Sequence, residues 1–437
     1  MTTLLVFIFA VFFGTLAIKN FQFALSFVVF ALPAYLIRFD FFGVPYTMLE
    51  VMIWVLFLVH LYFLLVQHGV SGLRRVLAHP SSEFLSLRIA MALFLVTATV
   101  ALIISRDFVS GLGVWKAYFL QPILFALMVI QSTRDREDLK RIFVAMGLSV
   151  LSVFIFGVFQ KFTGWKLNPI YMIDGRVDRI TSFYGFPNAI GLYVAPVVAF
   201  YFGWISEFFV DFRKKLAHRE CVVLFAFQLL VIVCGMVSIV LAKSEGALVG
   251  LLASLFVVGM LRARTRVVTL IVTALVILFV MVSPVYRTYA FEKLTFQGWS
   301  ERVRITMWHE TWQMVRDNPI LGVGLSSYPV EFVKYHHAWY LEIFQYPHNI
   351  VLNFWVEMGL LGVLTFFWLV GEVCRLAYRA RAMFPAVSAG LVGMIVAMIV
   401  HGLVDVPYFK NDLSVLFWVF VGVAVLTNIL TEHKIFT

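Results

Sequence analysis

Apolar residues recur along this chain in runs long enough to cross a lipid bilayer, and short polar loops separate the runs. A helix of about 20 residues spans the roughly 30 Å of a bilayer's hydrocarbon core. Twelve or thirteen such helices are predicted, because the first two runs are short and only Lys19 and Asn20 separate them. The predicted helices lie near residues 3–18, 21–37, 45–66, 88–105, 112–131, 142–160, 188–206, 221–242, 246–261, 267–283, 350–372, 385–403 and 412–431. The pattern predicts an all-α, polytopic bundle of membrane-spanning helices.

The composition excludes the other broad classes of protein. Hydrophobic residues make up 62% of the 437 residues and charged residues only 13%, about half the charged share of soluble domains. The mean hydropathy of +0.94 rules out a soluble enzyme and a disordered chain. No repeat and no independent extramembrane domain is found, so residues 1–437 are predicted to form one transmembrane domain. The three cysteines and ten histidines show no metal-binding spacing, and no metal or cofactor is predicted.

The net charge of +10 arises from basic clusters in alternating loops. Five clusters fall on one side of the predicted bundle: Arg74 and Arg75; Arg134, Arg136, Lys140 and Arg141; Arg213, Lys214, Lys215 and Arg219; Arg262, Arg264 and Arg266; Arg375, Arg379 and Arg381. Basic loops of polytopic proteins face the cytoplasm, so this side is predicted to be cytoplasmic, and no nucleic-acid partner is predicted. The segment 284–347 lies on the opposite, external side. It is longer than an ordinary connection and is predicted to be a helical lid between two late spans.

Within this segment, a helix is predicted to begin at an N-cap, Ser300, and to end near Asp317. Its predicted apolar face consists of Ile305, Trp308, Trp312 and Val315. Arg302 and Arg304 lie on the remaining surface of the helix. Because an amphipathic helix of this kind is often only interfacial, a functional role for Arg304 needs support from elsewhere in the sequence.

His348 and Asn349 immediately precede the span 350–372, so they lie at a helix N-terminus on the external boundary of the membrane. The positive end of the helix dipole disfavours a charged imidazole, which predicts a neutral His348 able to accept a proton from a hydroxyl group. A histidine bonded to a nearby carbonyl is the alternative. Glu357, inside the same span, is expected to face the protein interior or a wet cavity, where it either orients a partner or bonds to a break in the backbone.

Arg179 is the second external group with a chemical interpretation. It lies shortly before Pro187 and Asn188, which open another span. An arginine beside a helix N-terminus can bind a diphosphate bidentately, because the first amides of the helix also point at the anion. It can equally be an anchor at the membrane boundary.

Two further charged pairs on the external side are most simply structural. Lys243 and Glu245 separate two apolar runs, and they can neutralise each other in a tight turn. His401 and Asp405, four residues apart near the end of a span, can share a hydrogen bond.

Four ordered motifs resemble the O-antigen ligase and Wzy-type polymerase superfamily of bacterial membrane glycosyltransferases. They are Arg179 to Pro196 with its Gly-Phe-Pro-Asn core, Lys243-Ser-Glu-Gly-Ala-Leu, Arg304-Ile-Thr-Met-Trp through Asn318-Pro-Ile-Leu-Gly-Val-Gly, and His348-Asn-Ile-Val-Leu-Asn-Phe-Trp-Val-Glu-Met-Gly-Leu-Leu-Gly. Together they cover roughly residues 175–370. Where relatives commonly have Ser-Arg-Gly, this chain has Ser244-Glu245-Gly246, so a positive charge at this turn could come only from Lys243.

The resemblance implies transfer of a glycan from an undecaprenyl-diphosphate carrier to a sugar of the lipid A core. The expected location is the periplasmic face of the bacterial inner membrane, and no metal or other cofactor is implied. The resemblance implies that His348 is the essential histidine, and a neutral His348 acting as general base on the acceptor hydroxyl predicts inversion at the anomeric carbon. The resemblance also implies roles for Arg179 and Arg304. The residues predicted to bind the diphosphate or substrate are Arg179, Arg304, Lys243, Asn188 and Asn349, and the predicted supporting residues are Glu357 and Arg302.

Three alternative functions stay open at the level of sequence. A Wzy-type polymerase would extend a second lipid-linked glycan instead of the lipid A core. A lipid-glycan transporter would place paired ionisable residues near the bilayer midplane in broken helices, whereas the groups named above collect at one face. A structural assembly partner would tolerate the joint replacement of Arg179, Arg304 and His348. The expected partners are the lipid-linked donor, the lipid A core or lipid-linked glycan acceptor, and membrane lipids.

Overall fold

The computed structural model describes residues 2–41, 43–77, 84–210, 212–261, 263–338 and 340–432. Within these ranges the chain is almost entirely helical, with two short antiparallel hairpins. The helices are α1 (Thr2–Lys19), α2 (Phe21–Phe30), α3 (Met48–Leu77), α4 (Leu85–Ile103), α5 (Phe108–Val114), α6 (Gln121–Ser132), α7 (Arg136–Thr163), α8 (Pro187–Trp204), α9 (Phe212–Ala217), α10 (Arg219–Ala242), α11 (Glu245–Leu261), α12 (Ala263–Val282), α13 (Pro284–Leu294), α14 (Trp299–Asp317), α15 (Tyr328–Phe332), α16 (Ile350–Ala380), α17 (Pro385–Gly402) and α18 (Asn411–Glu432). The strands are β1 (Arg38–Phe41), β2 (Val44–Thr47), β3 (Met172–Ile173) and β4 (Arg176–Val177).

Ten helical segments in the described ranges are long and apolar enough to cross a membrane. They are Met48–Val66, Leu85–Ile103, Phe108–Ser132, Arg136–Thr163, Pro187–Glu207, Arg219–Ala242, Thr265–Val282, Ile350–Ala380, Pro385–Gly402 and Asn411–Thr431. Three further apolar helices are shorter: Leu4–Lys19, Phe21–Phe30 and Glu245–Leu261. Every predicted run overlaps one of these helices, so the all-α polytopic fold is confirmed, although fewer helices reach spanning length than the twelve or thirteen predicted.

The second predicted run, 21–37, ends early in the structure. Helix α2 stops at Phe30, and a 3₁₀ turn, Leu32–Leu36, follows it. Pro33 lies at the start of this turn, and a proline has no backbone N–H with which to continue an α-helix. The apolar run therefore divides into a short helix and a turn before the β1–β2 hairpin.

Helices α8, α17 and α18 form the buried centre of the bundle. Helices α8 and α17 pack backbone to backbone through glycine, since an added Cβ at Gly203 would lie 2.0 Å from the nitrogen of Gly390. Small residues allow this close approach between helices in a membrane. Helix α12, by contrast, exposes apolar side chains along its length, as a helix that contacts lipid does.

Short connections return the chain from one spanning segment to the next, so the loops divide between two ends of the bundle. The five basic clusters lie at one end, called the basic end below, with Arg262 outside the described residues. The loops that precede α5, α8, α11, α16 and α18 lie at the opposite end, called the site end. The segment 284–347 also lies at the site end, where Leu325 accepts a hydrogen bond from Ser105 at 2.7 Å.

The segment 284–347 folds over the site end around a small core of its own. Met314 of α14 packs with Tyr328 and Phe332 of α15 in this core. The Trp308 indole donates to the carbonyl of Pro347 at 2.8 Å. Helix α14 is thereby held beside the residues that lead into α16.

Helix α14 differs from its prediction in its N-cap and its buried face. Gly298 is the N-cap and offers no side-chain hydrogen bond, so Ser300 lies inside the first turn. The buried residues are Glu301, Met307, Glu310, Thr311, Met314 and Val315, whereas Ile305 and Trp312 are 43% and 39% exposed. Glu310 is satisfied by backbone amides of residues 337 and 338, at 2.8 and 3.1 Å. A buried carboxylate with loop partners cannot be recognised from a pattern of apolar residues.

Helix α16 is broken at Gly359, where φ is 71° and ψ is −171°. The backbone of Ile320 packs into this break, and an added Cβ at Gly359 would lie 1.9 Å from the Ile320 oxygen. The Leu360 amide donates to the carbonyls of Pro319 and Ile320, at 3.3 and 3.2 Å. The break therefore attaches the segment 284–347 to a spanning helix.

Candidate functional site

His348 lies at the site end, immediately before the N-cap of α16. Its backbone is left-handed, with φ of 46°, and its ring meets those of Phe344 and Tyr346 edge to face. Its Nδ1 lies 3.2 Å from Oδ1 of Asp405, which belongs to the loop between α17 and α18. An ionised carboxylate can only accept here, so Nδ1 donates the hydrogen and Nε2 is left for another partner.

Asp405 is the residue that orients His348. Its side chain is 1% exposed, and its Oδ1 also accepts a hydrogen bond from the Val406 amide at 2.9 Å. Burial opposes ionisation of this carboxyl, but the hydrogen bond and charge of His348, the charge of His401 and the Val406 amide outweigh burial and hold its pKa well below the usual value. Asp405 is therefore a carboxylate at neutral pH.

Arg179 is joined to this pair through Asn188. Its Nη2 donates to Oδ1 of Asn188 at 3.1 Å, and Nδ2 of Asn188 donates to Oδ2 of Asp405 at 3.4 Å. Asn188 takes this position because Pro187 starts α8, and a proline is favoured in the first helical turn. The result is a continuous hydrogen-bonded chain from Arg179 through Asn188 and Asp405 to His348.

The same arginine holds the end of α10. Its Nε donates to the carbonyl of Ala242 at 2.9 Å, and Nη2 approaches the carbonyl of Lys243 at 3.4 Å. A cation at these terminal carbonyls is favoured by the helix dipole. Nη1 of Arg179 makes no hydrogen bond to a residue that the structure describes, so part of the guanidinium stays available to a ligand.

Arg304 belongs to α14, the helix of the segment 284–347 that lies beside the residues leading into α16. No described residue forms a hydrogen bond or an ion pair with its guanidinium, yet its charge acts on His401 and Glu301. Trp308, one turn further along the same helix, is bonded to Pro347 next to His348. Arg304 is thus a half-buried cation without an anionic partner among the described residues.

Lys243 is beside Arg179, but its ammonium is already engaged. Its Nζ pairs with Oδ1 of Asp178 at 2.5 Å, and its side chain is 56% exposed. Lys243 and Glu245 do not neutralise each other, which corrects the simplest interpretation of this turn. Glu245 instead pairs with Lys293 of α13 at 2.8 Å and accepts a hydrogen bond from the Tyr289 hydroxyl at 2.5 Å. A positive charge therefore does reach this turn, and it comes from the segment 284–347.

The side chain of Asn349 forms hydrogen bonds with backbone groups. Its Oδ1 accepts hydrogen bonds from the amides of Val351 and Leu352, at 3.0 and 3.1 Å, as the N-cap of α16. Its Nδ2 donates to the carbonyl of Leu403 at 3.0 Å. Asn349 thereby joins the start of α16 to the loop that carries Asp405.

The two predicted supporting residues lie in different places. Buried Glu357 accepts a hydrogen bond from the Ser326 amide at 2.7 Å, so it braces the segment 284–347 at the break in α16. Arg302 donates to the carbonyl of Gln297 at 2.9 Å and is exposed. Its described contacts therefore do not join the network of His348.

Two charged residues of this site escaped the sequence interpretation. The sequence pairs Asp405 with His401 by spacing, but in the structure the Asp405 carboxylate accepts its hydrogen bond from His348. Lys410 lies in the same loop, with Nζ 3.9 Å from the centre of the Phe186 ring, two residues before Asn188. Burial of the Lys410 ammonium lowers its pKa to about 8, although Asp412 and Asp405 oppose the shift. The sequence does contain a signal for this part of the site, because three charged residues lie close together where two apolar spans meet: Asp405, Lys410 and Asp412.

Residues 229–367 match the sequence model of a family described as O-antigen ligase. This region contains Lys243, Arg304, His348, Asn349 and Glu357, whereas Arg179, Asn188 and Asp405 lie outside it. No curated protein matches the chain. The family is enzymatic, and its region covers the segment 284–347 and the helices on either side of it. The resemblance of this chain to the O-antigen ligase and Wzy-type polymerase superfamily is therefore confirmed through residues 229–367.

Proposed function

We propose that the protein is a metal-independent, inverting glycosyltransferase that moves a glycan from undecaprenyl diphosphate to a sugar of the lipid A core. The observation that carries the proposal is the hydrogen-bonded chain from Arg179 to His348, because it joins a cation to an oriented imidazole at one end of the bundle. The matched family supports the same reaction class. The basic end supports a location in the bacterial inner membrane with the site facing the periplasm, by the positive-inside rule.

The cations of the site suit the diphosphate of the donor. Arg304 has no anionic partner among the described residues, and Arg179 keeps Nη1 available. Guanidinium groups bind phosphate oxygens by paired, charge-assisted hydrogen bonds, each worth about 1.5–3 kcal/mol. These bonds strengthen as the leaving group gains charge, so they lower the barrier to breaking the sugar–phosphate bond.

His348 serves as the general base in this mechanism. The acceptor hydroxyl oxygen attacks C1 of the donor sugar from the face opposite the diphosphate, and its proton passes to Nε2 of His348. The C1–O bond breaks, and its electron pair leaves with the diphosphate. Asp405 stabilises the imidazolium that forms, because its carboxylate already accepts the Nδ1–H.

The segment 284–347 serves as a lid over the reaction. Hydrolysis of the donor is the competing reaction, so transfer requires that water be excluded from C1. The attachment of the segment to α4, α11 and α16 supports this role. Glu357 supports the lid from inside α16.

The test replaces His348 by Ala in purified protein supplied with a diphosphate-linked donor and an acceptor. Loss of a general base is expected to lower the transfer rate by about 10²–10⁴-fold. His309→Ala, an exposed histidine of α14, is the matched control and should keep the normal rate. A normal rate in His348→Ala would remove His348 from the mechanism.

The acceptor distinguishes a ligase from a Wzy-type polymerase, which the superfamily also contains. The reaction should be run with lipid A core and, separately, with a second lipid-linked repeat unit. Elongation of the core supports the ligase, whereas elongation of the repeat unit alone would assign a polymerase. Movement of the donor across proteoliposomes without a new glycosidic bond would contradict both enzymes.

A further inference from the structure

A cavity of about 480 Å³ opens at the basic end, far from His348 along the helices. It lies between the start of α7, the end of α8, the start of α10 and the link from α16 to α17. None of the residues proposed above for transfer lines it. The cavity is therefore separate from the proposed transfer site.

The lining of this cavity carries a positive excess. Arg136, Lys140 and Lys215 contribute three cations, and Glu137 and Glu207 contribute two carboxylates. Lys140 pairs with Glu137 at 3.4 Å, but these side chains are 38% and 59% exposed, and such surface pairs are weak. The Lys215 ammonium donates to the backbone carbonyl of Glu207 at 2.5 Å, which holds it at the rim.

A buried amide without a partner points into the same cavity. Gln228 is 3% exposed and belongs to the lining. No described residue forms a hydrogen bond with its side chain. A buried polar group normally has a partner, so the Gln228 amide is free to bind a ligand.

Helix α17 begins at the same place and adds backbone donors. Phe384 is its N-cap and gives no side-chain hydrogen bond, and Pro385 occupies its first turn. Ala386 and Val387 line the cavity, and first-turn amides have no partner within their own helix. Amides at a helix N-terminus are suited to bind a phosphate group.

The remaining lining is aromatic and apolar. Phe143, Trp204, Phe208 and Phe384 surround the polar groups, and the Arg136 guanidinium lies 4.8 Å from the centre of the Phe384 ring. Apolar side chains outside the cavity at this end are exposed, including Phe209 at 59%. A ligand that fits has an anionic head and an apolar body.

We propose that this cavity binds the phosphate headgroup of an anionic phospholipid from the leaflet at the basic end. Lys140, Lys215 and Arg136 supply the charge, Gln228 and the α17 amides supply hydrogen bonds, and the aromatic rings contact the glycerol and the acyl chains. Basic cavities between spanning helices are suited to such lipids. The inference is independent of the transfer reaction, since the site lies at the other end of the bundle.

The experiment measures lipid binding to the purified full-length protein by native mass spectrometry. Phosphatidylglycerol is the probe, and zwitterionic phosphatidylcholine is the comparison. Lys140→Gln combined with Lys215→Gln is expected to weaken phosphatidylglycerol binding by about tenfold or more, because two charge-assisted contacts are lost. The control is Arg213→Gln combined with Lys214→Gln, which removes two exposed charges from α9 that do not line the cavity and should change binding by less than about twofold.

Equal loss in the two double variants would overturn the proposal, because it would mean diffuse attraction by the whole basic end. Equal binding of phosphatidylcholine, or displacement of the lipid by millimolar inorganic phosphate, would overturn the choice of an anionic lipid. If the double variant fails to fold, Gln228→Met keeps the volume and removes the amide, and it is expected to weaken binding several-fold. Unchanged binding in a folded Gln228→Met protein would then contradict the site.

Discussion

Among single residues, Asp405 determines how His348 can act. The helix dipole alone predicts a neutral ring, but it does not select which ring nitrogen carries the hydrogen. The hydrogen bond from Nδ1 to Asp405 makes that selection and directs Nε2 away from the carboxylate. Asn188 approaches the second oxygen of the same carboxylate, so Arg179 and His348 are coupled through one side chain.

Asp405→Asn is predicted to reduce transfer while donor binding is retained. The amide cannot stabilise the imidazolium by charge, and its NH₂ group can favour the wrong tautomer of His348. We expect kcat to fall by about 10²-fold or more, with KM for the donor changed by less than about threefold. Steady-state kinetics measures both quantities. Asp317→Asn, at the exposed end of α14, is the control, and a matching fall in that variant would contradict a specific role for Asp405.

Lys410 is predicted to make donor binding depend on pH. Its pKa of about 8 means that the ammonium loses its proton, and with it the positive charge, as pH rises through that value. Affinity for a diphosphate donor is therefore predicted to fall between about pH 7 and pH 9, because an attractive charge is removed. Titration of donor binding at several pH values measures the effect.

The charge of residue 410 can be varied to check this interpretation. Lys410→Arg keeps a positive charge at high pH, so its donor binding should no longer weaken near pH 8. Lys410→Met should bind weakly at every pH, and the transition near pH 8 should disappear. A transition that persists in Lys410→Met would assign the titration to another group.

Among the helices, α14 and α16 depart from the predicted pattern where the bundle contacts the segment 284–347. Helix α16 breaks at Gly359 to admit the backbone of Ile320. Glu357, two residues earlier, binds the Ser326 amide. Helix α14 buries Glu310 against a loop, although the pattern of apolar residues predicted another face. The break in α16 and the buried face of α14 therefore both coincide with contacts made by the segment 284–347.

Gly359→Ala is predicted to destabilise this junction. The backbone angles at Gly359 are accessible essentially to glycine alone, so a side chain there carries strain of about 1–3 kcal/mol. Contact with the Ile320 oxygen, 1.9 Å from the added Cβ, increases the loss. A lower midpoint of thermal unfolding and faster proteolysis of the segment 284–347 are the expected results.

Gly371→Ala in the same helix is the matched control. Nothing lies within 4 Å of an added Cβ at that position, and alanine favours a helix over glycine by about 1 kcal/mol. The midpoint should stay unchanged or rise. Equal destabilisation in the two variants would mean that the break at Gly359 has no special role.

For the whole molecule, ion pairs link the segment 284–347 to the bundle. Lys293 bridges Glu245 of α11 and Glu301 of α14, at 2.8 and 3.0 Å. Burial works against the charged form of Lys293, but the hydrogen bonds and charges of these two carboxylates outweigh it and raise its pKa. Arg106 pairs with Glu331 on another side of the segment.

Lys293→Met is predicted to loosen the lid and to divert the donor to water. The variant leaves Glu245 and Glu301 facing each other without a cation, which favours separation of α14 from α11. The ratio of hydrolysed donor to transferred glycan should rise by about threefold or more, since that ratio reports water at C1. Lys334→Met, which removes a surface ion pair of the same segment, should leave the ratio unchanged. An unchanged ratio in Lys293→Met would contradict closure by this contact.

Much of the fold was predictable because hydrophobicity along a helix is a local property. The helices predicted near 142–160 and 412–431 lie within α7 and α18. The helix predicted over 21–37 is shorter in the structure because the turn that contains Pro33 follows α2. The site was predictable in part. Recognisable helix boundaries or motifs lie beside His348, Arg179 and Arg304, and these local features indicate the three residues without knowledge of their contacts.

Local patterns of residues were sufficient to predict the all-α class, the order of the apolar helices and the end that carries the basic clusters, because each depends on neighbouring residues alone. Three features depend instead on long-range packing: which carboxylate binds His348, which cation pairs with Glu245 and which face of α14 is buried. His348 and Asp405 are 57 positions apart, and Asn188 and Asp405 are 217 apart. Contacts over such separations are set by how helices such as α8 and α17 pack at Gly203 and Gly390. A pattern of residues along the chain does not specify how distant helices pack, so it cannot predict these contacts.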